Sequence, residues 1–148
     1  MLNRREFVIT ATGAAALAVL PLGAARASVA DTQAAINAFT GGASVSNEGI
    51  TLDLPEIAEN GNTVPLGVDV DSPMSANDYV ESVLILADGN PNPAVATFNF
   101  TPMAGLAMAS TRIRLATTQD IHAVAKMSDG SFRHVSSTVK VTIGGCGG

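Results

Sequence analysis

The stretch "DIHAVAKMSDGSFRHVSSTVKVTI", Asp120 to Ile143, decides the fold. Two runs that alternate apolar and polar residues flank Asp129-Gly130, a pair that tolerates positive φ and closes short hairpins. After the turn, Val139, Val141 and Ile143 recur every second residue, the spacing of a strand with one buried face. An antiparallel hairpin is predicted here.

Working outward, the same pattern recurs in "YVESVLILAD", "AVATFNFT" and "STRIRLATT", with the turn Asp88-Gly89-Asn90-Pro91 between the first two. Further upstream, "GITLDLP" alternates Ile50, Leu52 and Leu54 with polar residues, and "NTVPLGVDVDSP" places Val64, Leu66, Val68 and Val70 on one side. Pro65 has no amide hydrogen, so its strand is expected at an edge or with a bulge. One short helix is predicted over "TQAAINAF", capped by Asp31, with Ala35, Ile36 and Phe39 on one face and Gly41-Gly42 as its stop. About seven short strands separated by turn signals define an all-β chain. The expected fold is an immunoglobulin-like antiparallel β-sandwich, with a barrel as the alternative.

The N-terminal segment "MLNRREFVITATGAAALAVLPLGAARAS" runs from Arg4-Arg5 through a mildly apolar stretch to Ala25-Arg26-Ala27. That is the three-part layout of an export signal, and the paired arginines are of the twin-arginine (Tat) type, which implies a periplasmic protein. The apolar stretch is shorter than the roughly 20 residues a spanning helix needs, so no membrane anchor is expected. Three parts are therefore expected: a signal peptide over 1–27, a β-sandwich domain over 28–143 and a flexible arm over 144–148. Cleavage after Ala27 would leave five basic and twelve acidic residues. Such a surface repels phosphate backbones, and nucleic acid is not an expected partner.

The arm is "GGCGG": Gly144, Gly145, Cys146, Gly147 and Gly148. Cys146 is the chain's one cysteine. In an oxidising compartment it cannot pair within the chain, so it reacts with something else, links two subunits or stands free. Glycines offer it nothing to pack against. They give a thin arm that leaves the last strand at Gly144 and enters narrow pockets.

Elsewhere the chain shows no set of groups that would act together as an active site. His122 and His134 are isolated in sequence and read as half-exposed strand residues. Asp69, Asp71, Asp78 and Glu81 read as a solvated face, with calcium at "DVDSP" the one metal alternative. Gly41-Gly42 lacks the lysine of a phosphate loop, and Met74, Met103, Met108 and Met127 read as packing or partner-surface residues. A mobile thiol without a base or oxyanion hole is a poor enzyme but a workable covalent carrier. No cofactor is expected on this chain other than a reversible adduct on Cys146.

The terminal "GGCGG", the twin-arginine signal, "AFTGGA" at Ala38 to Ala43, "ITLDLPEIAENGNTVPLGVDVDSPM" at Ile50 to Met74 and "STRIRLATTQDIHAVAKMSDGSF" at Ser110 to Phe132 resemble the SoxY sulfur carriers of bacterial thiosulfate oxidation. The resemblance implies a non-enzymatic carrier that pairs with a SoxZ subunit and holds sulfur or thiosulfate on Cys146. It further implies loading by a SoxAX-like haem c enzyme, sulfate release by a SoxB-like hydrolase and, where present, oxidation by a SoxCD-like sulfur dehydrogenase. Haem, manganese and molybdenum would belong to those partners. Two other readings remain open: a ubiquitin-like sulfur carrier using the Gly148 carboxylate, and a structural sandwich whose cysteine links subunits.

Overall fold

Every strand run of the sequence becomes a strand, and two short ones join them. The computed structural model describes residues 29–145; the signal segment with Arg4 and Arg5, and the residues Cys146, Gly147 and Gly148, lie outside the described residues. Helix α1 (Val29–Thr40) precedes β1 (Val45–Ser46), β2 (Ile50–Asp53), β3 (Ile57–Asn60), β4 (Val64–Val70), β5 (Val80–Ala87), β6 (Ala94–Asn99), β7 (Ala107–Ile113), β8 (Gln119–Met127) and β9 (Phe132–Ile143). One sheet has the order β1-β9-β8-β5-β6, with β3 added beside β9, and the other has the order β2-β4-β7.

The period-2 residues of both sheets meet in one core. Val64, Leu66, Val68 and Val70 from β4 are buried against Val83, Ile85, Ile121, Ala123, Ala125 and Val139. The opposite face of the larger sheet is covered by α1, which lays Ile36, Ala35 and Phe39 on Leu84, Leu86 and Val124. Gly41 and Gly42, at φ 64° and 78°, end the helix in the left-handed region that glycine enters without strain. Asp31 lies within the first turn of α1 rather than just ahead of it.

Three details depart from the expected pattern. Strands β1 and β3 pair parallel to β9, so the larger sheet is mixed. Each is too short to show an alternating signature. The β8–β9 hairpin closes through three residues: Gly130 N donates to Met127 O at 3.0 Å and Met127 N to Ser131 O at 2.9 Å. Only Gly130 takes a positive φ, 84°, because Asp129 instead accepts Ser131 N on Oδ1 at 2.8 Å and shapes a type I turn ahead of the left-handed glycine. Pro65 sits in the middle strand of its sheet, yet β2 ends at Asp53 opposite Gly67. Past that point β4 has β7 alone as its neighbour, so the missing amide hydrogen costs no ladder bond on the open side.

Candidate functional site

The last strand was expected to bury Val139, Val141 and Ile143 and to release the chain at Gly144. Val139 is fully buried and Val141 half-buried, but Ile143 is 67% exposed. Side-chain burial ends there because the core ends, and the backbone then takes over the anchoring. Gly61 N donates to Ile143 O at 2.7 Å, Leu115 N donates to Gly61 O at 2.8 Å, and Gly145 N donates to Leu115 O at 2.9 Å. The chain is therefore held through Gly145, which is buried. Gly144 and Gly145, expected within the flexible arm, are instead held against the sandwich.

Three backbones cross here at a separation only glycine permits. A Cβ on Gly61 would overlap the Leu115 carbonyl oxygen and lie 2.7 Å from Gly145 N. One on Gly144 would overlap the Ala116 carbonyl oxygen, and one on Gly145 would lie 2.8 Å from Gly61 O. These glycines are used for close approach, a role the bare "GG" does not announce.

The β7–β8 connection that receives the root is fixed by two buried amides. Asn90, 2% exposed, donates from Nδ2 to Arg114 O at 2.9 Å and accepts Ala116 N on Oδ1 at 2.9 Å. Gln119 donates from Nε2 to Asn90 Oδ1 at 3.0 Å and to Thr117 O at 2.9 Å, while its Oε1 accepts Gly89 N at 2.8 Å. Buried polar groups satisfied on every side hold a loop to one conformation. Thr118 Oγ1 accepts Val141 N at 2.9 Å and ties the same loop to β9. In the sequence Asn90 shows only as a turn residue; its partners lie 24 to 29 positions away.

His122 and His134, isolated in sequence, are brought together by the β8–β9 register. Their rings stack with centroids 5.3 Å apart at 19°, and His122 Nδ1 lies 3.1 Å from His134 Nε2. Asp88 Oδ2 is 4.0 Å from His122 Nε2. Burial, and then the neighbouring His122, hold the His134 pKa below the ordinary histidine value. Among the described residues no group of three or more His, Cys, Asp or Glu is placed to hold a metal ion. Asp69, Asp71 and Asp78 are exposed, and half-buried Glu81 pairs with Lys126 at 2.7 Å. Met74 and Met127 are in the core, while Met103 and Met108 are 96% and 55% exposed.

The described sandwich closes on a seated Gly145, and the next residue in sequence is the chain's one cysteine. The comparisons give the family. The model for the sulfur oxidation protein SoxY matches residues 36–146, and the chain belongs to the SoxY family. The sulfur carrier protein SoxY from Chlorobium limicola f thiosulfatophilum is similar at 31% identity with a TM-score of 0.63, over 78% of this chain and 100% of that one. A superoxide reductase (neelaredoxin) from Ignicoccus hospitalis matches at 14% identity and TM-score 0.57, over 81% of this chain and 98% of that one. A hypothetical protein from Pyrococcus horikoshii matches at 9% and 0.55, over 69% and 99%. The last two likenesses are of fold alone. No curated protein matches the chain significantly in sequence.

Proposed function

We propose that this protein is a covalent sulfur carrier of thiosulfate oxidation that holds its cargo on Cys146 and is processed by partner enzymes. The observation that carries the reading is that the fold ends by fixing Gly145, one residue before the chain's one thiol. Fixing the root leaves Cys146, Gly147 and Gly148 as the part that enters a partner. A thiol fits the task, since disulfide-type bonds to sulfane sulfur form and break reversibly. Membership of the SoxY family and the likeness to a SoxY sulfur carrier support it.

The finer parts of the proposal follow the same logic. Arg4-Arg5 and the segment to Ala27 would send the chain to the periplasm by the twin-arginine route, folded and already bound to a SoxZ-like subunit without its own signal. Met103, Leu106 and Met108 are exposed apolar residues where β6 passes to β7. They lie at the opposite end of β7 from Leu115, roughly 20 Å away at strand spacing, so a subunit seated there leaves the arm clear. SoxAX-like, SoxB-like and SoxCD-like enzymes would load, hydrolyse and oxidise the cargo with their own haem, manganese and molybdenum.

The test is intact-mass measurement of native protein together with a Cys146→Ser variant. Sulfur or thiosulfate adducts on Cys146, absent from a folded Ser variant that no longer supports thiosulfate turnover, are expected. A thiocarboxylate on Gly148, a stable disulfide dimer, or undiminished turnover by the variant would overturn the reading.

A further inference from the structure

The β8–β9 register builds a second chemical cluster, roughly 30 Å along β9 from Ile143, on the face of the larger sheet that α1 covers. His122 pairs in register with Leu86 and His134 with Val124, and α1 packs on both Leu86 and Val124. The two histidines are themselves half-buried, and exposed Ser136 lies opposite His122 on β9, so the pair sits at the rim of the covered area. His122 Nδ1 and His134 Nε2 face each other at 3.1 Å. Two nitrogens held about 2.0–2.1 Å from one metal ion, at angles from a right angle to the tetrahedral one, lie roughly 2.9–3.4 Å apart. The pair therefore already stands at the spacing of a chelate, and a turn of each ring aims both lone pairs at one ion.

The far side of His122 has the partner that such a ligand needs. Asp88 Oδ2 lies 4.0 Å from His122 Nε2, and the carboxylate is fixed because its Oδ1 accepts Asp120 N at 2.9 Å. A carboxylate there favours the tautomer with the proton on Nε2, which leaves the Nδ1 lone pair free for a metal. The 3.1 Å contact is then made by His134 Nε2–H donating to His122 Nδ1. A metal ion takes that position, and the proton moves to His134 Nδ1 by exchange with water. Burial and His122 hold the His134 pKa below the ordinary value, so near pH 7.5 its ring is uncharged and fit to ligate. Asp120 is engaged elsewhere, since Thr138 Oγ1 donates to its Oδ1. Two histidines, with water in the remaining positions, are thus the donor set among the described residues.

We propose that His122 and His134 form a two-histidine site for a borderline divalent transition-metal ion, Zn(II) or Cu(II), with Asp88 as the positioning residue behind His122. Imidazole pairs suit these ions, whereas Mg(II) and Ca(II) take oxygen ligands. Two protein ligands leave coordination positions open, so the ion exchanges with solution more readily than one in a closed four-ligand site. The site is chemically separate from Cys146 and does not depend on the carrier reading.

The experiment titrates Zn(II) at about pH 7.5 into the mature full-length chain carrying Cys146→Ser, which keeps the thiol from competing for the ion. Imidazole ¹⁵N signals are followed by NMR, and affinity is read by calorimetry. Saturation at one equivalent is expected, with His122 Nδ1 and His134 Nε2 shifting together, and Cu(II) should bind more tightly than Zn(II). Asp88→Asn keeps an oxygen for Asp120 N but loses the carboxylate charge behind His122, and should weaken Zn(II) about ten-fold, the usual worth of such an outer partner. His122→Gln or His134→Gln should weaken it by more. Zn(II) that shifts neither ring, that shifts one ring alone, or that binds the His134→Gln protein as tightly as its parent would overturn the proposal and leave the rings as a hydrogen-bonded pair. The parent chain's ring signals decide between these outcomes even where a variant fails to fold. None of them bears on the carrier reading, which the turnover assay tests separately.

Discussion

Gly61 and Gly145, packed against each other, both bind one residue: Gly61 O accepts the Leu115 amide at 2.8 Å, and Leu115 O accepts the Gly145 amide at 2.9 Å. Leu115 is itself fully buried, so the grip is anchored in the core. The place from which the cysteine starts is thus fixed by a turn more than eighty residues before it.

Gly61→Ala tests that fixation. The new methyl group would overlap the Leu115 carbonyl oxygen, and backbone on both sides leaves it nowhere to go. A loss of about 1–3 kcal/mol is expected, the usual cost of overpacking. Urea denaturation measures it; an unchanged midpoint would mean the three backbones do not meet as described.

The arm glycines should separate into two kinds. Gly145→Val places branched bulk against Gly61 and should destabilise the protein by more than about 1 kcal/mol, whereas Gly147→Val, beyond the seat, should stay within about 0.5 kcal/mol. Both substitutions restrict φ and add bulk, so both should slow processing by partner enzymes. Equal stability of the two variants would show that Gly145 is not seated against Gly61 and Leu115 after all.

Asn90→Ala removes two bonds to the β7–β8 backbone and one from Gln119, and strands Arg114 O and Ala116 N. About 2–4 kcal/mol is expected, since each stranded buried group costs on the order of 1–3 kcal/mol. Amide exchange should accelerate first at Leu115 and Gly145. Uniform acceleration across both sheets would argue that Asn90 supports the fold at large and not this seat.

What could be read from the chain followed from local chemistry. The β8–β9 hairpin, the alternation of β4 and the Gly41-Gly42 stop each depend on residues a few positions apart, and each appears in the structure. The seat does not, because Gly61, Asn90, Leu115 and Gly145 gain their meaning only when distant segments cross. The same holds for His122 and His134: twelve residues apart, they look solitary until the hairpin register stacks them. Strand β3 was illegible for a related reason, since "IAEN" has two apolar residues and takes its identity from Lys140 and Val141 alongside. Cys146 was the opposite case, a chemical signal visible in the sequence but lying outside the described residues.

The histidine pair makes stability depend on pH. With the His134 pKa held below its unfolded value, the unfolded chain binds protons more readily than the folded one. The contribution of the neutral ring is therefore fully present above the unfolded value of about 6.5, and it is lost as the pH falls toward and through the folded value. Acidification would place a positive charge on His134, which is half-buried and whose ring nitrogen lies 3.1 Å from His122. Lowering the pH from 7.5 to 5 should accordingly reduce the midpoint of urea denaturation, and His134→Gln should flatten that slope while keeping a neutral hydrogen-bonding group beside His122. The exposed carboxylate of Asp129, held low by its bonds to Ser131, titrates with the same sign but further into acid, so the two effects occupy different parts of the profile. A His134→Gln protein with the native slope between pH 5 and 7.5 would remove the pair as the cause.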